Sequence, residues 1–153
     1  MQVHEKFMEE ALLEAQKAFQ KKEVPIGAIV VEADRIIGRG HNLVESIQDP
    51  IAHAEILAIN SAATAQASWR LNECTLYVTV EPCPMCAGAI LLSRISTVVF
   101  GASDPRLGAC GSVFHVLPSA VLNSEVQIIS GICEERCKNL LQAFFQDLRK
   151  EKT

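Results

Sequence analysis

No stretch of the 153-residue chain is apolar for long enough to cross a bilayer, so no membrane partner is expected. The first residues, Met1-Gln2-Val3-His4-Glu5-Lys6, lack the basic-then-apolar order of a secretory signal. The expectation is a cytoplasmic location. Positive charge is not in excess either: 14 Lys and Arg against 18 Asp and Glu leave a net charge of −4. That balance argues against generic, charge-driven binding to nucleic acid, though not against a local basic surface. Lys17, Lys21 and Lys22 form one basic group and Arg149, Lys150 and Lys152 another, and solvated faces account for both. Repeats, low-complexity tracts and linkers are missing. With 49% apolar and 21% charged residues, the composition is that of a globular chain whose residues 1–153 make one domain with a real core.

What the chain does have is six cysteines. A disulfide framework is not expected, because the hydrophobic content suffices for folding and no export signal is present. Cys83 and Cys86 stand apart from the others, in Pro82-Cys83-Pro84-Met85-Cys86, about thirty residues after His53-Ala54-Glu55. One imidazole and two thiolates make three zinc ligands and leave the fourth tetrahedral position open, the mark of a catalytic site. His41 and His115 are the candidates for closing the site, but neither has zinc-finger spacing from the cysteines. Cys74, Cys110, Cys133 and Cys137 read as buried thiols. The i, i+4 spacing of Cys133 and Cys137 would allow a shared second metal, but no partner histidine lies nearby.

Apolar positions Phe7, Met8, Ala11, Leu12, Ala15, Ala18 and Phe19 recur at helical spacing and predict a helix over 4–22. A hairpin follows, with strands over 26–31 and 35–40 around the polar turn Glu32-Ala33-Asp34. An irregular stretch over 42–50 leads to an alanine-rich helix over 53–67. Then come a strand over 75–80, a helix over 83–93, a strand over 97–100, a loop over 101–111, a strand over 126–129 and a helix over 134–150. This alternation predicts an α/β fold with a mostly parallel sheet covered on both faces, and ligands at the carboxyl ends of its strands. His53 and Cys83 both open helices there. A helix amino terminus favours thiolates, so both cysteines should have lowered pKa values. Their i, i+3 spacing puts both sulfurs on one face, and Pro82 and Pro84 stiffen the loop. Two thiolates cancel the charge of Zn²⁺ and make it a milder Lewis acid, so a base beside the water matters more. Glu55 is that base: it takes a proton from the water, passes it to a ring nitrogen and protonates the departing ammonia. Amides near Ala54 and Cys83 help orient the reacting groups. His-x-Glu with Pro-Cys-x-x-Cys is the signature of zinc-dependent nucleobase deaminases.

The blocks around the motif carry a narrower likeness. They are Glu23-Val24-Pro25-Ile26-Gly27-Ala28, Asp49-Pro50-Ile51-Ala52-His53-Ala54-Glu55-Ile56 and Leu76-Tyr77-Val78-Thr79-Val80-Glu81-Pro82-Cys83-Pro84-Met85-Cys86-Ala87-Gly88-Ala89. Ser93-Arg94-Ile95, Val98-Val99-Phe100-Gly101-Ala102 and Gly108-Ala109-Cys110-Gly111-Ser112 complete them. Over almost its whole length the chain resembles the bacterial tRNA-specific adenosine deaminases. The resemblance implies a cytidine deaminase-like three-layer α/β/α sandwich around a mixed, mostly parallel five-stranded sheet, with one Zn²⁺ per subunit. It implies conversion of adenosine to inosine at the wobble position of a tRNA anticodon, typically in an arginine tRNA, by a homodimer. The expected partner is the tRNA anticodon stem-loop, not DNA. By the same resemblance Asn42 hydrogen-bonds the flipped nucleotide, with Ala54 beside it, and Asp104 lies beside the anticodon-loop backbone. Read alone, Asn42 is a turn former and Asp104 a loop or cap residue. Of Phe144-Phe145, adjacent on a helix, one packs and the other reaches RNA; Phe145 and Arg149 are the candidate contacts near the carboxyl end. A free guanine or cytosine deaminase is the alternative. A non-catalytic RNA-binding subunit is the other, and the presence of Glu55 argues against it.

Overall fold

Successive side chains of a strand point to opposite faces, and in this computed structural model both faces of the sheet are apolar. The structure describes residues 2–119 and 125–152. In chain order the elements are α1 (Gln2–Gln20), β1 (Gly27–Glu32), β2 (Arg35–His41), α2 (Val44–Ile47), α3 (Ala54–Gln66), β3 (Thr75–Val80), α4 (Pro84–Leu92), β4 (Thr97–Ala102), β5 (Gln127–Ile129) and α5 (Glu134–Glu151). Ala28 and Val30 of β1, Leu76 and Val78 of β3, and Val98 and Phe100 of β4 pack on Ala54, Ala58 and Ala62 of α3 and Ala87 and Ile90 of α4. The alternate residues Ile29, Val31, Tyr77 and Val99 pack on Phe7, Met8, Ala11 and Leu12 of α1 and on Cys137 of α5. Two apolar clusters on either side of one sheet make the three layers expected from the sequence.

The sheet order is β2-β1-β3-β4-β5. It is mixed: β1 runs antiparallel to β2 and β3, while β3-β4 and β4-β5 are parallel. Parallel pairing thus accounts for half of the neighbours rather than most. Ala33 and Asp34 both have positive φ, 47° and 63°, which is the backbone a two-residue hairpin turn demands. The α4 crossover delivers β4 parallel to β3, as a helical connection must. The stretch expected to be irregular, 42–50, contains the short helix α2, and α1 starts and ends two residues earlier than expected.

Because β2 and β3 both run opposite to β1, the carboxyl ends of β2, β3 and β4 lie along one edge. The amino termini of α3 and α4 sit at that edge. Close approach fixes the position of α3: a Cβ at Gly40 would lie 2.5 Å from the Ala54 carbonyl oxygen, and one at Gly38 would lie 2.5 Å from that of Ala58. Only glycine lets the α3 backbone lie this near the strand.

Candidate functional site

His53 and Cys83 occupy the same structural position on two helices. Each is the residue that caps a helix amino terminus with extended backbone, α3 for His53 and α4 for Cys83, and neither side chain caps its own helix. Pro84 follows Cys83 in the first turn, where its missing N–H costs nothing. Both side chains are therefore free to turn toward each other. His53 Nδ1 lies 3.6 Å from Cys83 Sγ and 3.5 Å from Cys86 Sγ. In a tetrahedral site with Zn–N of about 2.0–2.1 Å and Zn–S of about 2.3 Å, the N···S edge is about 3.6 Å. Both N···S distances match that edge and the three donor atoms lie within 4.8 Å of one another, so the trio suits zinc; among the described residues it is the one His, Cys, Asp or Glu group so arranged. His41 is engaged elsewhere, with Glu14 Oε1 at 3.0 Å and Lys21 Nζ at 2.9 Å. Neither His115 nor the Cys133–Cys137 pair joins a metal-binding group among the described residues.

The expectation that both thiols are acidified holds for one of them. A hydrogen bond from the Cys86 thiol, ahead of one from His53, lowers Cys83 to about 4. Cys86, donating that bond from a buried position, is raised instead. Two sulfurs this close retain one proton between them until a cation replaces it. His53 is raised, chiefly by its bond to Cys83. Glu55, in the first turn of α3, is only 4% exposed. Burial pushes its carboxyl up to about 7, and the charge on Cys83 adds to the rise, although its own amide, His53 and the Cys86 thiol oppose it.

A cavity of about 480 Å³ opens beside these groups, within the ~300–1,000 Å³ usual for small-ligand sites. Asn42, His53, Ala54, Glu55, Cys83, Asp104 and Phe145 all line it. Arg149, in the last turn of α5, is not part of that lining. Asn42 and Asp104 also do the local work that their residue types suggest. The Asn42 amide donates to the Val24 carbonyl at 3.3 Å and its Oδ1 accepts from Val44 N at 3.1 Å. Asp104 Oδ1 accepts from the amides of Arg106 and Leu107 at 2.9 and 3.3 Å. The adjacent phenylalanines divide as expected: Phe144 is buried with its ring 5.9 Å from that of Phe19, while Phe145 is 39% exposed at the cavity. Val24, Ile26, Glu81 and Leu141 also line the cavity and were not foreseen. Of these only Glu81 carries a sequence signal, a charge at the end of a buried strand directly before Pro82.

A helix-mounted His/Cys/Cys trio with a buried carboxyl beside it, at the carboxyl edge of a three-layer sandwich, is the architecture of a deaminase. The chain belongs to the MafB19-like deaminase family, whose profile matches residues 2–149. Within that class it is 52% identical, over 97% of its length and 92% of the relative's, to a tRNA-specific adenosine deaminase of Bacillus subtilis. A solved structure from work on A-to-I editing by tRNA:A34 deaminases at the wobble position of transfer RNA superposes with a TM-score of 0.83 at 40% identity, covering 88% of this chain and 97% of that one. Guanine deaminase from Bacillus subtilis is also similar, at 38% identity and a TM-score of 0.62, but over 65% of this chain and 64% of that one.

Proposed function

We propose that residues 1–153 form a single deaminase domain that converts adenosine to inosine at the wobble position of a tRNA anticodon, in an arginine tRNA. The observation that carries this reading is the 52% identity to a tRNA-specific adenosine deaminase over 97% of the chain, too much of it to leave out α5, the helix that brings Phe145 to the cavity. The likeness to the guanine deaminase of Bacillus subtilis is weaker, at 38% identity over 65% of this chain.

His53 Nδ1, Cys83 Sγ and Cys86 Sγ would hold one Zn²⁺ per subunit, which when bound supplies polarisation of a water at its open position. The chain's own residues do the rest. Glu55 accepts a proton from the attacking water and gives it to a ring nitrogen of adenine as the water oxygen adds to the amidine carbon. It then takes the remaining proton of that oxygen and delivers it to the amine as the C–N bond breaks, so that water enters and ammonia departs. Burial is the largest cause of the raised Glu55 pKa in the metal-free chain, and a carboxyl lifted in this way toward neutrality both accepts and returns protons. The Ala54 amide and the Asn42 side chain orient the flipped base, Phe145 offers a stacking face, and Asp104 and Arg149 flank the RNA backbone. The enzyme works in the cytoplasm as a homodimer, with exposed Ile47, Ile51 and Leu92 offering apolar surface to a second copy. No helix among the described residues is long and apolar enough to cross a membrane.

Mapping inosine in bulk tRNA from cells lacking the protein tests the assignment. Wobble inosine should disappear from arginine tRNA and return on complementation. Unchanged inosine would refute the reading.

A further inference from the structure

Glu81 directly follows β3, between that strand and the metal-ligand turn, and it is only 3% exposed. No lysine, arginine or histidine pairs with it among the described ion pairs. A buried carboxylate without a cation is costly unless hydrogen-bond donors surround it. Among the described residues every donor comes from one segment, the loop after β4. Oε1 accepts from the Asp104 amide at 3.0 Å and from the Ser112 hydroxyl. Oε2 accepts from the amides of Cys110 at 2.9 Å and Ser112 at 3.2 Å. The loop closes tightly over the carboxylate, since a Cβ at Gly108 would lie 2.5 Å from both of its oxygens. One residue further along, the Pro82 carbonyl accepts from the Ala109 amide at 2.8 Å.

The same loop, with Glu81 beneath it, borders the cavity. Residues 103–107 form one wall, and Asp104 has two engagements there: its amide is held by Glu81 while its carboxylate folds the turn over Arg106 and Leu107. Two residues beyond Glu81 stands Cys83. One buried carboxylate thus couples the metal-ligand turn to a wall of the cavity built from residues more than twenty positions away.

We propose that Glu81 is a positioning residue for RNA. By gathering the amides of the loop after β4, it sets the wall at 103–107 at a fixed height over the metal-ligand turn, so that it governs binding of the anticodon loop rather than the deamination step. This inference rests on the RNA reading above. Glu81→Gln keeps the shape but replaces an acceptor with a donor that faces other donors. Ser112→Ala removes one hydroxyl bond and leaves Glu81 in place. With a zinc-loaded enzyme and an anticodon stem-loop, Glu81→Gln should raise KM about tenfold with kcat within about twofold, and Ser112→Ala should raise KM by about threefold in the same sense. Zinc content should remain one per chain. Amide exchange at Asp104 and Cys110 should quicken in Glu81→Gln, a local change that global loosening would not confine to this loop.

A KM unchanged in both variants, or a fall in kcat at constant KM, overturns the proposal. If Glu81→Gln does not fold or loses zinc, the KM of Ser112→Ala decides alone. If the unsubstituted enzyme forms no inosine in the stem-loop, the RNA reading fails, whereas the exchange rates still judge the clasp, and unchanged protection at Asp104 and Cys110 refutes it.

Discussion

Glu55 is largely buried and lies near the Cys83 sulfur, whose negative charge adds to the effect of burial, and both circumstances favour its protonated form. A base in this position can shuttle a proton only because neighbouring groups hold the balance near neutrality. Glu55→Gln should therefore retain zinc, by metal analysis, and lose about 10²–10⁴-fold in turnover; unimpaired turnover in that variant would show that the proton moves elsewhere. Metal binding tests the ligands separately. His53 must be neutral and Cys86 must lose its proton to serve as donors, and both are raised in the metal-free chain. Apparent zinc affinity should fall as pH is lowered from about 7 to 5, measured by competition with a chelator. At this scale the sequence was most informative: the trio and the carboxyl follow from spacing alone. The opposite behaviour of the two thiols was hidden, because it depends on how near the sulfurs come to each other.

At the scale of elements, two helix starts meet at one strand edge, and tight backbone contacts put them there. Gly40 admits α3 to within contact of β2 next to Ala54, the residue between His53 and Glu55. Gly40→Ala should force the start of α3 away from the strand and lower stability by about 1–3 kcal/mol. Thermal melting should show the loss, and zinc affinity should fall with it; a variant with native melting and native affinity would mean that α3 is not so confined. Helix and strand order was legible from periodicity, and the hairpin from its polar turn. Two features were not. The helix α2 is too short for periodicity to reveal, and the balance of parallel and antiparallel pairs depends on where the chain re-enters the sheet after α3. Asn42 and Asp104 illustrate the limit from the other side. Their residue types suggest turns, which they make, yet only the fold brings both to the cavity wall.

Across the whole molecule, Glu14 ties α1 to β2. Its buried carboxylate meets Lys17 at 2.7 Å, His41 at 3.0 Å and Arg39 at 3.4 Å, and Arg39 also reaches Glu10. Burial alone would raise its pKa, but the bonds to Lys17 and His41 outweigh that and leave it below its ordinary value of 4.5. A carboxyl depressed in the folded state stabilises above its unfolded pKa, and the contribution is lost as pH falls through the folded value. Glu14→Gln should melt below the unsubstituted protein at pH 7, and the gap should shrink below about pH 4; an equal gap at both pH values would contradict this role. No pattern in the sequence marks Glu14 as a hub, because its partners on β2 are distant along the chain. The function of the molecule turns on which base reaches Glu55. Purified, zinc-loaded protein should be given an anticodon stem-loop with adenosine at the wobble position and, separately, free guanine and cytosine, with the products read by mass spectrometry. Inosine at the wobble position and no turnover of the free bases is the predicted result; turnover of guanine or cytosine with no inosine in the RNA would contradict it.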